Sequence, residues 1–252
     1  MLASIEGGIS LYKVSSDLLK IANPDVILTQ MLCEVCAATP KEVEAAVCQA
    51  LPSRPKIVNL EPSNIIEIGD SIEQVANACG VPERGKVARD KFMCDMKSVS
   101  DAVNMQTEQP SVLLLEWLDP PFDGGHWVIQ QITNAGATAA WGGKPGDKSK
   151  ARCWDDVVAA SPDVVLIACC GFDLARNIKD ARKNMEGKLD RLRGSRIYAV
   201  DGNRYFARPS PSVASGSAIV ARCAFDGQRD VVAKLEALPF MPKEGEGWSR
   251  LL

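Results

Sequence analysis

Apolar residues along this chain recur in two rhythms. Short runs at 26–28, 56–60, 112–115, 164–168 and 196–200 are rich in Val, Ile and Leu and have the length of buried strands. Between them lie segments with apolar positions at three- and four-residue steps, which predict helices over 15–22, 40–51, 65–78, 126–135, 152–160, 173–185 and 212–225. The boundaries carry the expected punctuation. Ser15, Ser16 and Asp17 can cap the first helix and Asn23-Pro24 ends it, while Gly80 stops the helix over 65–78 and Asp173 stands where a cap is needed. The alternation of strand and helix predicts an α/β fold with parallel-type sheets.

One segment differs in kind. From 82 to 106 no breaker follows Gly85, and Ala88, Phe92, Met96, Val99 and Val103 form one apolar stripe. A single helix of that length runs about 35 Å, enough to connect two lobes.

The pattern before this helix returns after it. Asp17, Leu19, Ala22 and Pro24-Asp25-Val26-Ile27-Leu28 are matched, 138 positions on, by Asp155, Val157, Ala160 and Pro162-Asp163-Val164-Val165-Leu166, and Lys56-Ile57-Val58 is answered by Arg196-Ile197-Tyr198. Two Rossmann-like lobes joined by one long rigid helix is the simplest account. The predicted division is an N-terminal lobe over 1–81, a connecting helix over 82–108 and a C-terminal lobe over 109–252. Under the offset, the counterpart of the strand at 112–115 falls before residue 1. The first lobe is therefore expected to be truncated, either having lost its opening strand and helix or having its upstream portion outside this chain.

The chemistry concentrates where that strand ends. Glu116, Trp117, Asp119, Phe122, His126 and Trp127 crowd into a stretch that Pro120-Pro121 and Gly124-Gly125 predict to be a loop. In an open α/β sheet, ligands collect beyond the carboxyl ends of the strands. Phe172 with Asp173 follows the next strand, and Asn203 with Tyr205-Phe206 follows the third. Aromatics with a few hydrogen-bonding neighbours at adjacent strand exits suit a flat, amphipathic ligand.

Composition narrows the function classes. The 252 residues are 46% hydrophobic and 24% charged, with a net charge of −3 and scattered basic residues, which gives no footprint for nucleic acid. No apolar run is long enough to insert in a membrane and no export signal is seen, so the expected location is cytoplasmic or organellar, or periplasmic if an upstream signal is missing. Nine cysteines at irregular spacings argue for free thiols, and Cys33-x-x-Cys36 is the one pair with metal or redox spacing. Glu116 with Asp119, and Cys170 near Asp173, are the pairs that an enzyme could use, but no nucleophile elbow, phosphate-binding glycine loop or metal-ligand cluster accompanies them.

NPDVILTQ followed by CEVC, LEP after a strand, the long helix, EWLDPPF with GHW, and SPDVVLIACCGFD together resemble the vitamin B12 (cobalamin)-binding type of the helical-backbone, class III periplasmic substrate-binding proteins. The resemblance runs from about Leu11 to Phe225. It implies a non-enzymatic protein that holds cobalamin or a related corrinoid in a cleft between two lobes and serves an ABC transporter. Glu61, Trp117, Asp119, Phe122, His126, Trp127, Phe172 and Tyr205 are then the candidate cleft residues. His126, the single histidine, is the candidate ligand to a corrinoid cobalt, since a neutral imidazole binds cobalt well. A cytosolic or organellar homologue, with an enzymatic or scaffold role and no importer, is the alternative.

Overall fold

In the computed structural model, which describes residues 14–30, 40–192 and 194–252, the chain divides into two units, Met1–Asp90 and Lys91–Leu252. In the first unit, helix α1 (Ser16–Ala22) begins where the Ser15 hydroxyl accepts the Leu18 N–H at 3.3 Å, and it ends at Asn23, whose φ of 38° lies in the left-handed region. Strand β1 (Val26–Thr29), helix α2 (Pro40–Ala50), strand β2 (Lys56–Asn59) and helix α3 (Ile65–Ala78) follow. β1 and β2 pair in parallel, Val26 opposite Lys56 and Thr29 opposite Asn59, and among the described residues they form a two-stranded sheet. Val43, Val47, Leu51, Ile65 and Ile68 are buried in this unit. Helix α4 (Pro82–Val103) then runs 22 residues without interruption. A Cβ on its Gly85 would lie 2.5 Å from the Ala76 Cβ, so α3 and α4 meet there backbone to backbone.

The second unit is built on a six-stranded sheet. Strand β3 (Ser111–Leu118) has β4 (Pro121–Asp123) and β5 (Thr138–Ala139) on one side and β6 (Val164–Ile167) on the other, and the order continues to β7 (Arg196–Val200) and β8 (Trp248–Arg250). β3, β6 and β7 are mutually parallel, and β4 and β8 run antiparallel at the edges. Val164, Val165, Leu166 and Ile167 are all fully buried, as the unbroken apolar run requires of a strand covered on both faces. Helices α5 (Val128–Asn134), α6 (Trp154–Ala159), α7 (Leu174–Lys183), α8 (Gly202–Tyr205), α9 (Val213–Ala224) and α10 (Arg229–Glu236) complete the unit. α9 is made of small residues and is buried along nearly its whole length. At Gly216 a Cβ would stand 2.4 Å from the Tyr205 carbonyl oxygen and 2.2 Å from Gln131 Nε2.

The sequence repeat is also a repeat of geometry. Ser15 and Cys153 both accept an N–H from the residue three further on, and Asn23 and Ser161 both take a left-handed φ, 38° and 44°. Asp25 and Asp163 both accept a 3.0 Å hydrogen bond from the first residue of the neighbouring strand, Lys56 and Arg196. The registers agree as well, Val26 opposite Lys56 and Val164 opposite Arg196.

Two expectations need correction. The stretch after Leu115 is not a plain loop: β3 continues to Leu118 and folds back as β4, Trp117 opposite Phe122 and Leu118 opposite Pro121, and the following helix starts at Val128 rather than His126. The tail after Asp226, whose pattern predicts a short helix and a Pro- and Gly-broken terminus, also carries β8 on the edge of β7, where the Trp248 and Tyr198 rings meet edge-on at 6.0 Å. Cys33 and Cys36 lie outside the described residues.

Candidate functional site

Because β3 and β6 are parallel neighbours, their carboxyl ends bring two loops together. The Cys170 N–H donates to the Glu116 carbonyl at 3.1 Å, continuing the ladder past the last strand residue. This sets Trp117 beside Phe172, ring centroids 5.3 Å apart and tilted by 56°. Trp117 is 38% exposed, whereas Phe172 is nearly buried. The Trp117 Nε1–H is satisfied by the Asp119 carbonyl at 3.1 Å, which orients the indole. The Arg176 guanidinium lies 3.7 Å from the Phe172 centroid, a cation–π contact.

Asn177 holds these strand ends. Its Oδ1 accepts the Cys169 N–H at 3.0 Å, and its Nδ2 donates to the carbonyls of Phe172 and Val200 at 3.2 and 2.8 Å, so one fully buried side chain ties the exits of β6 and β7. Across this junction the Asn203 N–H donates to the Phe172 carbonyl at 3.0 Å. Asp173 is the N-cap of α7, accepting the Arg176 N–H at 2.8 Å.

On the other side of β3, the segment 142–150 is pinned to the strand exit. Ser149 Oγ donates to Glu116 Oε2 at 2.6 Å and accepts the Gly125 N–H at 3.1 Å. Burial pushes the Glu116 carboxyl up to about 7, the Asp123 charge adding to the rise and the hydrogen bonds from Ser149 and Gly125 opposing it. The His126 N–H donates to the Asp147 carbonyl and the His126 carbonyl accepts from Gly146, which holds the residue at a φ of 53°. His126 Nδ1 is buried without a hydrogen-bond partner, and burial, helped by the Lys148 charge, holds the imidazole below its ordinary pKa. A cavity of ≈ 60 Å³ lies among Val112, Gly124, Ile129, Trp141 and Asp147. It has room for a few waters and falls well short of the several hundred Å³ of a cofactor-sized pocket.

The structure therefore brings together part of the expected set. Trp117 and Phe172 touch, and Phe122 stands opposite Trp117 in the hairpin. Trp127 and Tyr205 are buried: the Trp127 Nε1–H donates to the Phe206 carbonyl at 2.9 Å and Gln131 Nε2 donates to the Tyr205 carbonyl at 3.0 Å. The Trp127 ring and the Tyr205 backbone thereby fasten helices in the interior, because buried polar groups there need a protein partner. Asp119 is exposed and 3.5 Å from Lys188, so it forms no acid/base pair with Glu116, which faces Ser149. Glu61 is an exposed residue of the first unit and accepts a short hydrogen bond from Asn59. His126 belongs to the 142–150 clasp, and a ligand could meet its ring only through Nε2. Among the described residues, no group of three or more His, Cys, Asp or Glu side chains is arranged to hold a metal ion, and no helix is long and apolar enough to cross a membrane.

Sequence reasoning missed Arg176 and Asn177 as site residues. Their signal was positional: with Asp173 as N-cap, Arg176 falls in the first turn of α7, where a basic residue opposes the helix dipole.

No family model matches this chain, and no curated protein does either. Solved structures do. A possible iron-binding, periplasmic solute-binding protein of Staphylococcus epidermidis is similar at 17% identity and a TM-score of 0.67, over 84% of this chain and 81% of that one. The periplasmic heme-binding protein of Roseiflexus sp. RS-1 is similar at 20% identity and a TM-score of 0.62, over 88% and 81%. The periplasmic vitamin B12-binding protein of Vibrio cholerae is similar at 14% identity and a TM-score of 0.61, over 88% and 82%. The chain thus has the α/β fold of the periplasmic solute-binding proteins. Vitamin B12 is one ligand among several in that company, and the named location of these proteins lends no support to a cytoplasmic one.

Proposed function

We propose that this protein is a solute-binding protein whose second unit offers one wall of a site for a flat, tetrapyrrole-sized ligand, a corrinoid foremost, which it delivers to an ABC importer. The observation that carries this reading is the Trp117–Phe172 pair, a part-exposed indole packed on a phenyl ring at the carboxyl ends of two adjacent parallel strands. An apolar face of that kind at that end of an α/β sheet suits a macrocycle laid against it. Phe122 on the hairpin extends the face, and Asp119 at its edge can accept from an amide. Trp127 and Tyr205 contribute through the fold around the site rather than by contact in this arrangement, and Glu61 is a candidate on the first unit. Axial ligation of cobalt by His126 Nε2 is a secondary part of the reading. The similar fold of proteins named for heme, vitamin B12 and iron supports a solute-binding role without choosing the solute.

Isothermal titration with cyanocobalamin tests the reading. Saturable binding is expected, weakened about ten-fold or more by Trp117→Ala, with the melting temperature of the variant unchanged. Absence of binding by the folded protein at millimolar ligand would overturn it.

A further inference from the structure

The exits of β6 and β7 are built alike. In each, an aspartate caps a helix and accepts the N–H of an arginine three residues on: Asp173 with Arg176, and Asp201 with Arg204, both at 2.8 Å. In each, the guanidinium lies over a neighbouring aromatic ring, Arg176 3.7 Å from the Phe172 centroid and Arg204 5.3 Å from the Tyr205 centroid. A third arginine, Arg208, donates from Nε to Asn203 Oδ1 at 3.1 Å, and the Asn203 N–H is bound to the Phe172 carbonyl. All three arginines are exposed, and among the described residues none has a carboxylate within 4.0 Å.

None of the nearby acids takes a guanidinium as its partner. Asp173 and Asp201 are turned toward helix N–H groups, Asp119 stands with Lys188, and Asp180 lies close enough to Arg176 for the two to act in opposite senses on Cys169. A basic side chain in the first turn of a helix works against the dipole. Arg176 does so in α7, and the same arrangement of capping aspartate, arginine and ring recurs with Arg204 at the next strand exit, beside the part-exposed Trp117. The cation–π contacts hold both guanidiniums at the strand exits without using their hydrogen-bond donors, and local departures from folding rules concentrate at functional sites.

We infer that the site selects a flat ligand bearing carboxylates on its rim over a neutral one, and that Arg176 and Arg204, with Arg208 beside them, determine that selection. The inference rests on the ligand site proposed above and adds the charge of what fills it. A guanidinium offers a planar fork of donors that matches a carboxylate in two parallel hydrogen bonds. A macrocycle lying on Trp117 and Phe172 presents its edge substituents to the arginines. Carboxylates there gain ion pairs, and esters or amides there leave the guanidiniums to water.

Cobyrinic acid and its methyl ester share one corrin macrocycle and differ in rim charge, so they isolate the effect. Titration calorimetry of the whole chain should show the acid binding about ten-fold more tightly than the ester. Arg176→Gln and Arg204→Gln should each lower affinity for the acid about five-fold and leave the ester within about two-fold. The preference should shrink as salt rises, because exposed charges are screened. Equal affinity for acid and ester, with Trp117→Ala weakening both, would remove the charge inference and leave the ligand site standing. Binding of neither probe, nor of cyanocobalamin, would remove both.

Discussion

β1 and β6 occupy equivalent places in the sequence repeat, follow equivalent helices and pair in equivalent register, yet Leu28 is 50% exposed and Leu166 fully buried. The local pattern, apolar residues after a left-handed residue and Pro-Asp, produces the same strand in both units. Burial is decided elsewhere, by the strands on either side. β6 lies between β3 and β7, whereas β1, among the described residues, has β2 alone. A strand with one neighbour keeps an open edge and an incompletely covered face.

The largest test of this contrast is a matched pair of truncations. Leu166→Ala should cost about 3 kcal/mol, as for a fully enclosed leucine, and Leu28→Ala should cost less than about 1 kcal/mol. Urea unfolding with hydrogen exchange read at each strand separates the two, and equal costs would show that β1 is as enclosed as β6. Next in size is Asn177→Ala, which strips partners from a buried N–H and two carbonyls at the β6 and β7 exits. A loss of about 2–3 kcal/mol is expected, with ligand affinity falling alongside it. A destabilised variant with full affinity would separate the scaffold from the site.

Glu116 gives a smaller, pH-dependent effect confined to the second unit. Its folded pKa of about 7 lies above the ordinary 4.5. Its contribution is therefore fully present below about pH 4.5 and lost as pH rises through 7, because the unfolded carboxyl ionises first. Glu116→Gln should flatten that slope and raise stability at pH 8 by about 1–2 kcal/mol. Melting curves between pH 4.5 and 8 check it, and an unchanged slope would assign the dependence to another group. The smallest effects lie on the surface of α4, where the two units cease to differ. Lys86 pairs with Glu83 in one and Lys97 with Asp101 in the other, all well exposed. Lys86→Ala and Lys97→Ala should each shift the melting temperature by no more than about 1 °C.

Elements governed by local chemistry were legible in the sequence. Helix α3 was bounded correctly, and Ser15 and Asp173 cap as their positions suggested. Elements made by distant partners were not. β4 starts within Pro120-Pro121 and reads as loop, but the Gly124 N–H finds the Leu114 carbonyl, and Asp123 binds the Lys150 N–H and the Arg152 guanidinium. At the site, the spacing of aromatics identified the strand exits, and Trp117 and Phe172 do meet. Spacing could not reveal that the Trp127 indole would find the Phe206 carbonyl 79 positions away and turn inward. Composition marks an aromatic as able to face a ligand, while long-range packing decides which one does.

Helix α9 has a consequence for reading relatives of this chain. Its run of Ala, Ser and Gly is small because the Tyr205 carbonyl and the Gln131 amide lie against Gly216, and because Ser217 Oγ donates to the Gln131 carbonyl at 3.0 Å. In a mutational scan, nearly every substitution at Gly216 and Ser217 should be rejected, and in an alignment the pair should stand out as invariant. That invariance would measure how near two backbones lie rather than any chemistry, and a search for function guided by conservation alone would be drawn to a helix buried in the interior.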